Sequence, residues 1–171
     1  MQQGTNDIYY KYANDVKRFL ICLTHQADLA EDLTQETFYQ AYKSIHRYNG
    51  TCKMSVWLCQ IARHVYYDYL KKNKHLKTVS IDCLTTFGYE TPSSDTLEET
   101  YITKEQIRSI LNLIEEMKSP YGEVFLLRIF DELPYKEIGQ IYEKSENWAR
   151  VTYYRAKEMI KERMEHNETN M

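Results

Sequence analysis

The chain has 171 residues, enough for one ordinary domain or two small ones. Five glycines and three prolines are too few for a turn-rich all-β fold, and no apolar run approaches the roughly 20 residues of a membrane helix. A net charge of −3 argues against a protein that grips nucleic acid by its overall field alone.

Helical periodicity begins near Ile8 and runs to Leu23, with Val16, Phe19, Leu20 and Leu23 on one stripe. The opening MQQGTNDIYYKYAND has no basic flank followed by an apolar core, so a signal peptide is not expected and a cytoplasmic location is. A second helix is predicted from Ala27 to Arg47, with Leu33, Thr37, Ala41 and Ile45 in line and Phe38 and Tyr42 beside them. Tyr48-Asn49-Gly50-Thr51 breaks the pattern and reads as a turn. A third helix follows from Met54 to Lys72, burying Trp57, Leu58, Ile61, Ala62, Val65 and Tyr69.

Periodicity fades from Asn73 to Thr103, where FGYETPSSDTLEET is polar, acidic and interrupted by Gly88 and Pro92. It returns at Lys104, with Ile107, Ile110, Leu111 and Ile114 on one face. Pro120 opens a further helix with Val124, Leu127 and Phe130 on one side. A short helix from Pro134 to Tyr142, a four-residue break and a last helix to Met164 complete the chain, with Ser145 as the expected N-cap. The fold class is therefore all-α: two small helical domains, residues 1–75 and 104–166, joined by a flexible acidic linker at 76–103.

The charges are unevenly placed. Residues 53–77 carry Lys53, Arg63, Lys71, Lys72, Lys74 and Lys77 against Asp68 alone. Residues 144–163 carry six bases against Glu146, Glu158 and Glu162, while the segment between is acidic. Two basic segments on an acidic body suit two nucleic-acid contacts, although two solvated helix faces give the same pattern.

Residues 134–160 have the form of a helix-turn-helix. Ala149, Tyr153, Ala156 and Ile160 face inward, leaving Arg150, Tyr154, Arg155 and Lys157 outward. Ser145, Asn147 and Trp148, at the start of that helix, are expected deepest in a major groove. Arginine forks suit guanine edges, and lysines hold phosphates. A generic helical hairpin with a charged face is the plainer alternative.

In the N-terminal half, Asp32, Gln35 and Glu36 share one helix face and suit a basic partner surface, or simply solvent. Rings and cations are interleaved on the third helix, where Tyr66 and Tyr67 lie off the apolar stripe and are the expected stacking surface for unpaired bases. Cys22, Cys52, Cys59 and Cys83 form no C-x-x-C pair and read as reduced structural thiols. There is no metal cluster, nucleophile pair or phosphate loop in the sequence, so neither a catalytic role, nor a metal, nor a cofactor is expected.

The stretch AEDLTQETFYQAYKSIHRYNG followed by WLCQIARHVYYDYLKK resembles region 2 of the extracytoplasmic-function (ECF) sigma factors, and FLLRIFDELPYKEIGQIYEKSENWARVTYYRAKEMI resembles their region 4. The resemblance covers about residues 8–72 and 104–163, in the family's order. It implies that Asp32, Gln35 and Glu36 bind core RNA polymerase. It implies that Tyr48, Asn49, Gly50, Thr51, Cys52 and Lys53 capture an unstacked base of the −10 element. Trp57, Gln60, Arg63, His64, Lys71 and Lys72 would support strand opening. Arg150, Val151, Tyr154 and Arg155 would hold the −35 duplex, alongside Ser145, Asn147, Trp148 and Lys157. An anti-sigma factor is an implied partner. The thirty-one residues from Asn73 to Thr103 reach roughly 100 Å at about 3.3 Å each, against roughly 70 Å for two turns of duplex.

Some positions depart from the family pattern. Glu143 stands where the turn often has Gly, Lys144 where an apolar residue is usual, Pro134 where Ser or Thr is common, and Gln60 and His64 in place of Arg and Asn. A stand-alone helix-turn-helix regulator and a polymerase-binding adaptor are the competing readings.

Overall fold

The computed structural model describes residues 2–73 and 108–169. Every regular element among them is helical, in agreement with the all-α class. The expected linker lies outside the described residues.

Helix α1 (Gln2–Thr24) is longer than the apolar stripe predicts. Its C-terminal half is buried on nearly all sides, from Phe19 through Thr24, because α2 (Ala27–Ser44) and α3 (Met54–Lys72) both pack on it. The chain reverses between α1 and α2 at His25, whose φ of 54° is left-handed. The Thr24 hydroxyl bridges that reversal, donating to the Gln26 carbonyl at 3.0 Å and accepting from the Gln26 N–H at 3.2 Å.

Helix α2 has no Gly or Pro, and Asp28 and Lys43 suit the dipole at its two ends. Its buried face includes two threonines, which need hydrogen bonds there. Thr34 donates to the Ala30 carbonyl at 2.7 Å and Thr37 to that of Leu33 at 2.6 Å, so both satisfy themselves within the helix. The predicted stripe ends early. Leu33, Thr37 and Ala41 are buried, but Ile45 is exposed. It belongs to a 3₁₀ turn (Ile45–Arg47), whose tighter winding rotates it off the face.

The C-terminal half starts with helical residues 108–115, here α4. It continues with α5 (Tyr121–Ile129), α6 (Tyr135–Ile141) and α7 (Glu146–Thr169). Both α5 and α6 pack on α7, burying Val124, Leu126, Leu127, Ile138, Ile141, Ala149, Ala156 and Ile160. The break between α6 and α7 is short because Gly139 lets the chain fold back on itself. A Cβ there would sit 2.7 Å from the Ser145 carbonyl oxygen and 2.9 Å from that of Lys144. The Lys144 N–H donates to the Gly139 carbonyl at 2.8 Å.

The two halves are in contact. Helix α3 lies against α6, and α1 against α5, so one apolar cluster runs through both.

Gly139→Ala forces the α6–α7 backbone apart and should cost about 1–3 kcal/mol in urea unfolding, as overpacked sites do. The α1–α2 reversal gives a pH prediction. The Nδ1 of His25 is buried without a hydrogen-bond partner among the described residues. Burial lowers its pKa from 6.5 to about 4. The unfolded chain then binds this proton more readily than the folded one. The contribution is complete above pH 6.5 and is lost as pH falls toward 4, by roughly 3 kcal/mol. Asn tolerates the left-handed backbone, so His25→Asn should remove that loss. Unfolding at pH 7 and 4.5 checks it.

Candidate polymerase and nucleic-acid interfaces

Asp32, Gln35 and Glu36 are all exposed or half-exposed on α2, away from its buried face. The Gln40 amide donates to Glu36 at 2.6 Å. Tyr39, 56 % exposed, lies beside them with the Lys43 ammonium 4.9 Å from its ring centre. The patch is thus a mixture of acid, amide and ring, open to a basic surface.

The loop between α2 and α3 is built by its own polar groups. Asn49 Oδ1 accepts from the Thr51 N–H at 3.1 Å and from the Thr51 hydroxyl at 2.8 Å. Gly50 takes a φ of 74° that side chains rarely adopt. The Tyr48 hydroxyl donates to the Cys52 carbonyl at 2.7 Å, and its ring lies 5.3 Å from that of Trp57. Gly50 and Thr51 are exposed and Trp57 is half-buried, so the loop is held in shape by its own hydrogen bonds while its tip faces solvent.

Of the α3 residues expected to meet DNA, Gln60, Arg63 and His64 are turned toward the C-terminal half. Arg63 donates to the Glu143 carboxylate at 2.9 Å. Its guanidinium lies 5.3 Å from the Tyr142 ring centre and 6.0 Å from that of Tyr67, and its side chain is only 14 % exposed. His64, more open, has Nε2 3.7 Å from Glu143. The Gln60 amide donates to the Gln140 carbonyl at 2.7 Å, and Lys53 pairs with Glu137. Lys71 lies 3.7 Å from Asp68, and Lys72 is exposed.

Tyr66 and Tyr67 are half-buried rather than an open stacking platform. The Tyr67 hydroxyl lies 2.9 Å from Ser119 Oγ and donates to Glu123 at 3.3 Å. The Tyr142 hydroxyl donates to the same Glu123 at 2.6 Å. Burial, reinforced by Glu123, pushes both phenols upward, so they remain neutral donors. Sequence reasoning does not reach Glu123, Glu137 or Tyr142, which carry no local signal of this role. For Glu143 the signal is its occupation of a place usual for Gly.

In the helix-turn-helix, Ser145 caps α7 by accepting the Trp148 N–H at 3.0 Å. Glu143, at a φ of 57°, makes the turn. Asn147, Arg150, Val151, Tyr154, Arg155 and Lys157 are exposed, while Trp148 is half-buried 5.4 Å from the Tyr142 ring. Arg150 pairs with Glu146 at 3.0 Å and lies 5.6 Å over the Tyr135 ring.

None of the described cysteines forms a disulfide, and Cys22 and Cys59 are buried and Cys52 half-buried. Burial pushes the Cys59 thiol far up. Among the described residues, no group of three or more His, Cys, Asp or Glu is placed to hold a metal ion, and no helix is long and apolar enough to cross a membrane.

Residues 8–76 match the family description Sigma-70 region 2, and residues 107–160 match Sigma-70, region 4. The chain is 35 % identical over 157 residues to the ECF RNA polymerase sigma factor SigM of Bacillus subtilis (strain 168), covering 91 % of this chain and 92 % of that protein. The RNA polymerase sigma factor YlaC of the same organism is 26 % identical over 167 residues, covering 95 % and 93 %. Among solved structures, the sigma factor RpoE in complex with the anti-sigma factor NepR from Bartonella quintana shares the fold. Its TM-score is 0.69 at 16 % identity, over 96 % of this chain and 98 % of that one. The chain belongs to the sigma-70 family, within its ECF group of RNA polymerase sigma factors. The region 2 match across the N-terminal half disfavours the stand-alone regulator.

Proposed function

We propose that this sigma factor divides its work among three surfaces. The α2 patch of Asp32, Gln35 and Glu36 docks on core RNA polymerase. The loop from Tyr48 to Lys53, with Trp57, Gln60, Arg63, His64, Lys71 and Lys72, takes the melted −10 strand. The outer face of α7, from Ser145 to Lys157, holds the −35 duplex. The division follows units at 1–75 and 104–166, with 76–103 as the tether. The observation that carries the reading is the pairing of two family regions, in order, with an open acidic face on the first and an open cationic face on the second.

The protein supplies binding and positioning, and the polymerase supplies the chemistry of RNA synthesis. A cytoplasmic location follows, since both polymerase and promoter are there. An anti-sigma factor is a further partner in this reading, supported by the shared fold with RpoE, which was solved bound to one.

Run-off transcription with core polymerase on a library of promoter fragments tests the reading. The chain should direct initiation at discrete sites, and absence of any product where another sigma factor succeeds would refute it. Replacing Asp32, Gln35 and Glu36 together by Ala should weaken polymerase capture in a pull-down and leave the helical circular dichroism unchanged. On α7, Arg155 is exposed and Arg150 is already paired with Glu146. Arg155→Ala should therefore weaken promoter duplex binding by the holoenzyme more than Arg150→Ala, by about 1–3 kcal/mol. Equal effects in a gel shift at fixed salt would remove that ranking.

A further inference from the structure

We propose that Glu146 is a specificity-determining residue of the −35 face: by matching the charge of Arg150 it turns that guanidinium from a phosphate contact into a reader of a guanine edge. The inference rests on the assignment of the outer face of α7 to duplex DNA above, and adds how that face tells one sequence from another.

An acid is out of place at this position. Glu146 is the first residue of α7 and is exposed, at the end of the helix expected deepest in the groove. Phosphates line that groove, and a carboxylate set among them opposes binding to every sequence alike. Neither helix capping nor packing calls for it. Ser145 already caps the helix by accepting the Trp148 N–H at 3.0 Å, and the Glu146 side chain is 50 % exposed.

What the carboxylate reaches is Arg150, one turn further on. Arg150 Nη2 donates to Glu146 Oε1 at 3.0 Å. The guanidinium also lies 5.6 Å from the Tyr135 ring centre, and the same ring carries the Arg128 guanidinium at 4.9 Å. Arg128 is fixed there by donating to the Leu133 carbonyl at 3.1 Å. Two cations on one ring repel each other. Glu146 supplies the opposite charge that keeps the second one in place. Arg150 is therefore held at the α6 side of the face, while Asn147, Val151, Tyr154 and Arg155 are exposed beside it.

The two kinds of DNA contact then differ in worth. A phosphate attracts a guanidinium through its charge, and here that charge is already matched. Taking Arg150 from Glu146 exchanges one anionic oxygen for another and leaves a bare carboxylate beside the DNA backbone. A base edge asks for hydrogen bonds instead. The Glu146 contact uses Nη2, and the other N–H groups of the fork remain to meet guanine O6 and N7. Arg150 thus adds little on arbitrary duplex and adds a directed contact where a guanine is in register. The sequence-independent part of the affinity falls, the sequence-dependent part stays, and the ratio between them rises.

The test uses holoenzyme assembled with the full-length wild type, Glu146→Gln, Arg150→Ala, the double variant, and Glu162→Gln, which makes the same change in charge further along α7. Each is titrated, over a range of salt, with a duplex fragment recovered by the wild-type holoenzyme from a promoter library and with the same fragment after its −35 bases are scrambled. On the scrambled fragment, Glu146→Gln should gain one phosphate contact and steepen the salt dependence of log K by about 0.9, which is about tenfold in affinity at about 50 mM salt. The gain on the recovered fragment should be smaller, so discrimination between the two falls. Adding Arg150→Ala should abolish the gain, and Glu162→Gln should not reproduce it. Unchanged discrimination in Glu146→Gln, or a gain that survives Arg150→Ala, would overturn the proposal and leave the −35 assignment standing. If the wild-type holoenzyme binds the recovered and scrambled fragments equally, or recovers none, the −35 assignment itself fails and the inference goes with it.

Discussion

The Arg63 guanidinium is the point at which the two halves of the molecule depend on each other. It leaves α3, passes between the rings of Tyr67 and Tyr142, and ends on the Glu143 carboxylate. A charge this enclosed is tolerable only while it is paired, since desolvation costs several kcal/mol when a partner is missing. The rings that enclose it are themselves fixed by Glu123, which accepts from both phenols. Arginine, two tyrosines and two glutamates thus form one network drawn from α3, α5 and the turn after α6. The pairs around it, Lys53 with Glu137 and Arg18 with Asp131, extend the same pattern along the seam.

Within each half the contacts are of an ordinary kind. Region 2 is a three-helix bundle whose core is aliphatic and aromatic, with two self-satisfied threonines. Region 4 is tightened by Gly139 and by the Ser145 cap. The seam is different in character, since polar contacts and a cavity lie beside its apolar contacts. Strong cores joined by a wetter boundary are what a protein needs if its parts are to move as rigid bodies on a shared partner.

The helices are legible in the sequence because periodicity and capping are local. The stripe on α2, the start of α3 at Met54 and the cap at Ser145 can each be read from neighbouring residues. Spacing misleads where tertiary contacts decide. Ile45 leaves its face because the helix tightens at its end. Tyr66 and Tyr67, surface residues by spacing, are half-buried because the C-terminal half lies against α3, through contacts between residues some 50 to 80 positions apart. The acidic partners of Arg63 and Lys53 are invisible for the same reason. A lone glutamate in a turn carries no sign of the arginine it will meet.

The two tryptophans have a consequence for spectroscopy. Trp57 lies against Tyr48 of the α2–α3 loop, and Trp148 lies against Tyr142 at the edge of the Arg63 network. They are the chain's only two indoles, and each is half-buried at a surface assigned to DNA. On the proposed assignment, intrinsic emission is a label-free gauge of both sites, since the indoles lie 5.3 and 5.4 Å from tyrosine rings that share their surroundings. Replacing either indole by Phe separates the two signals.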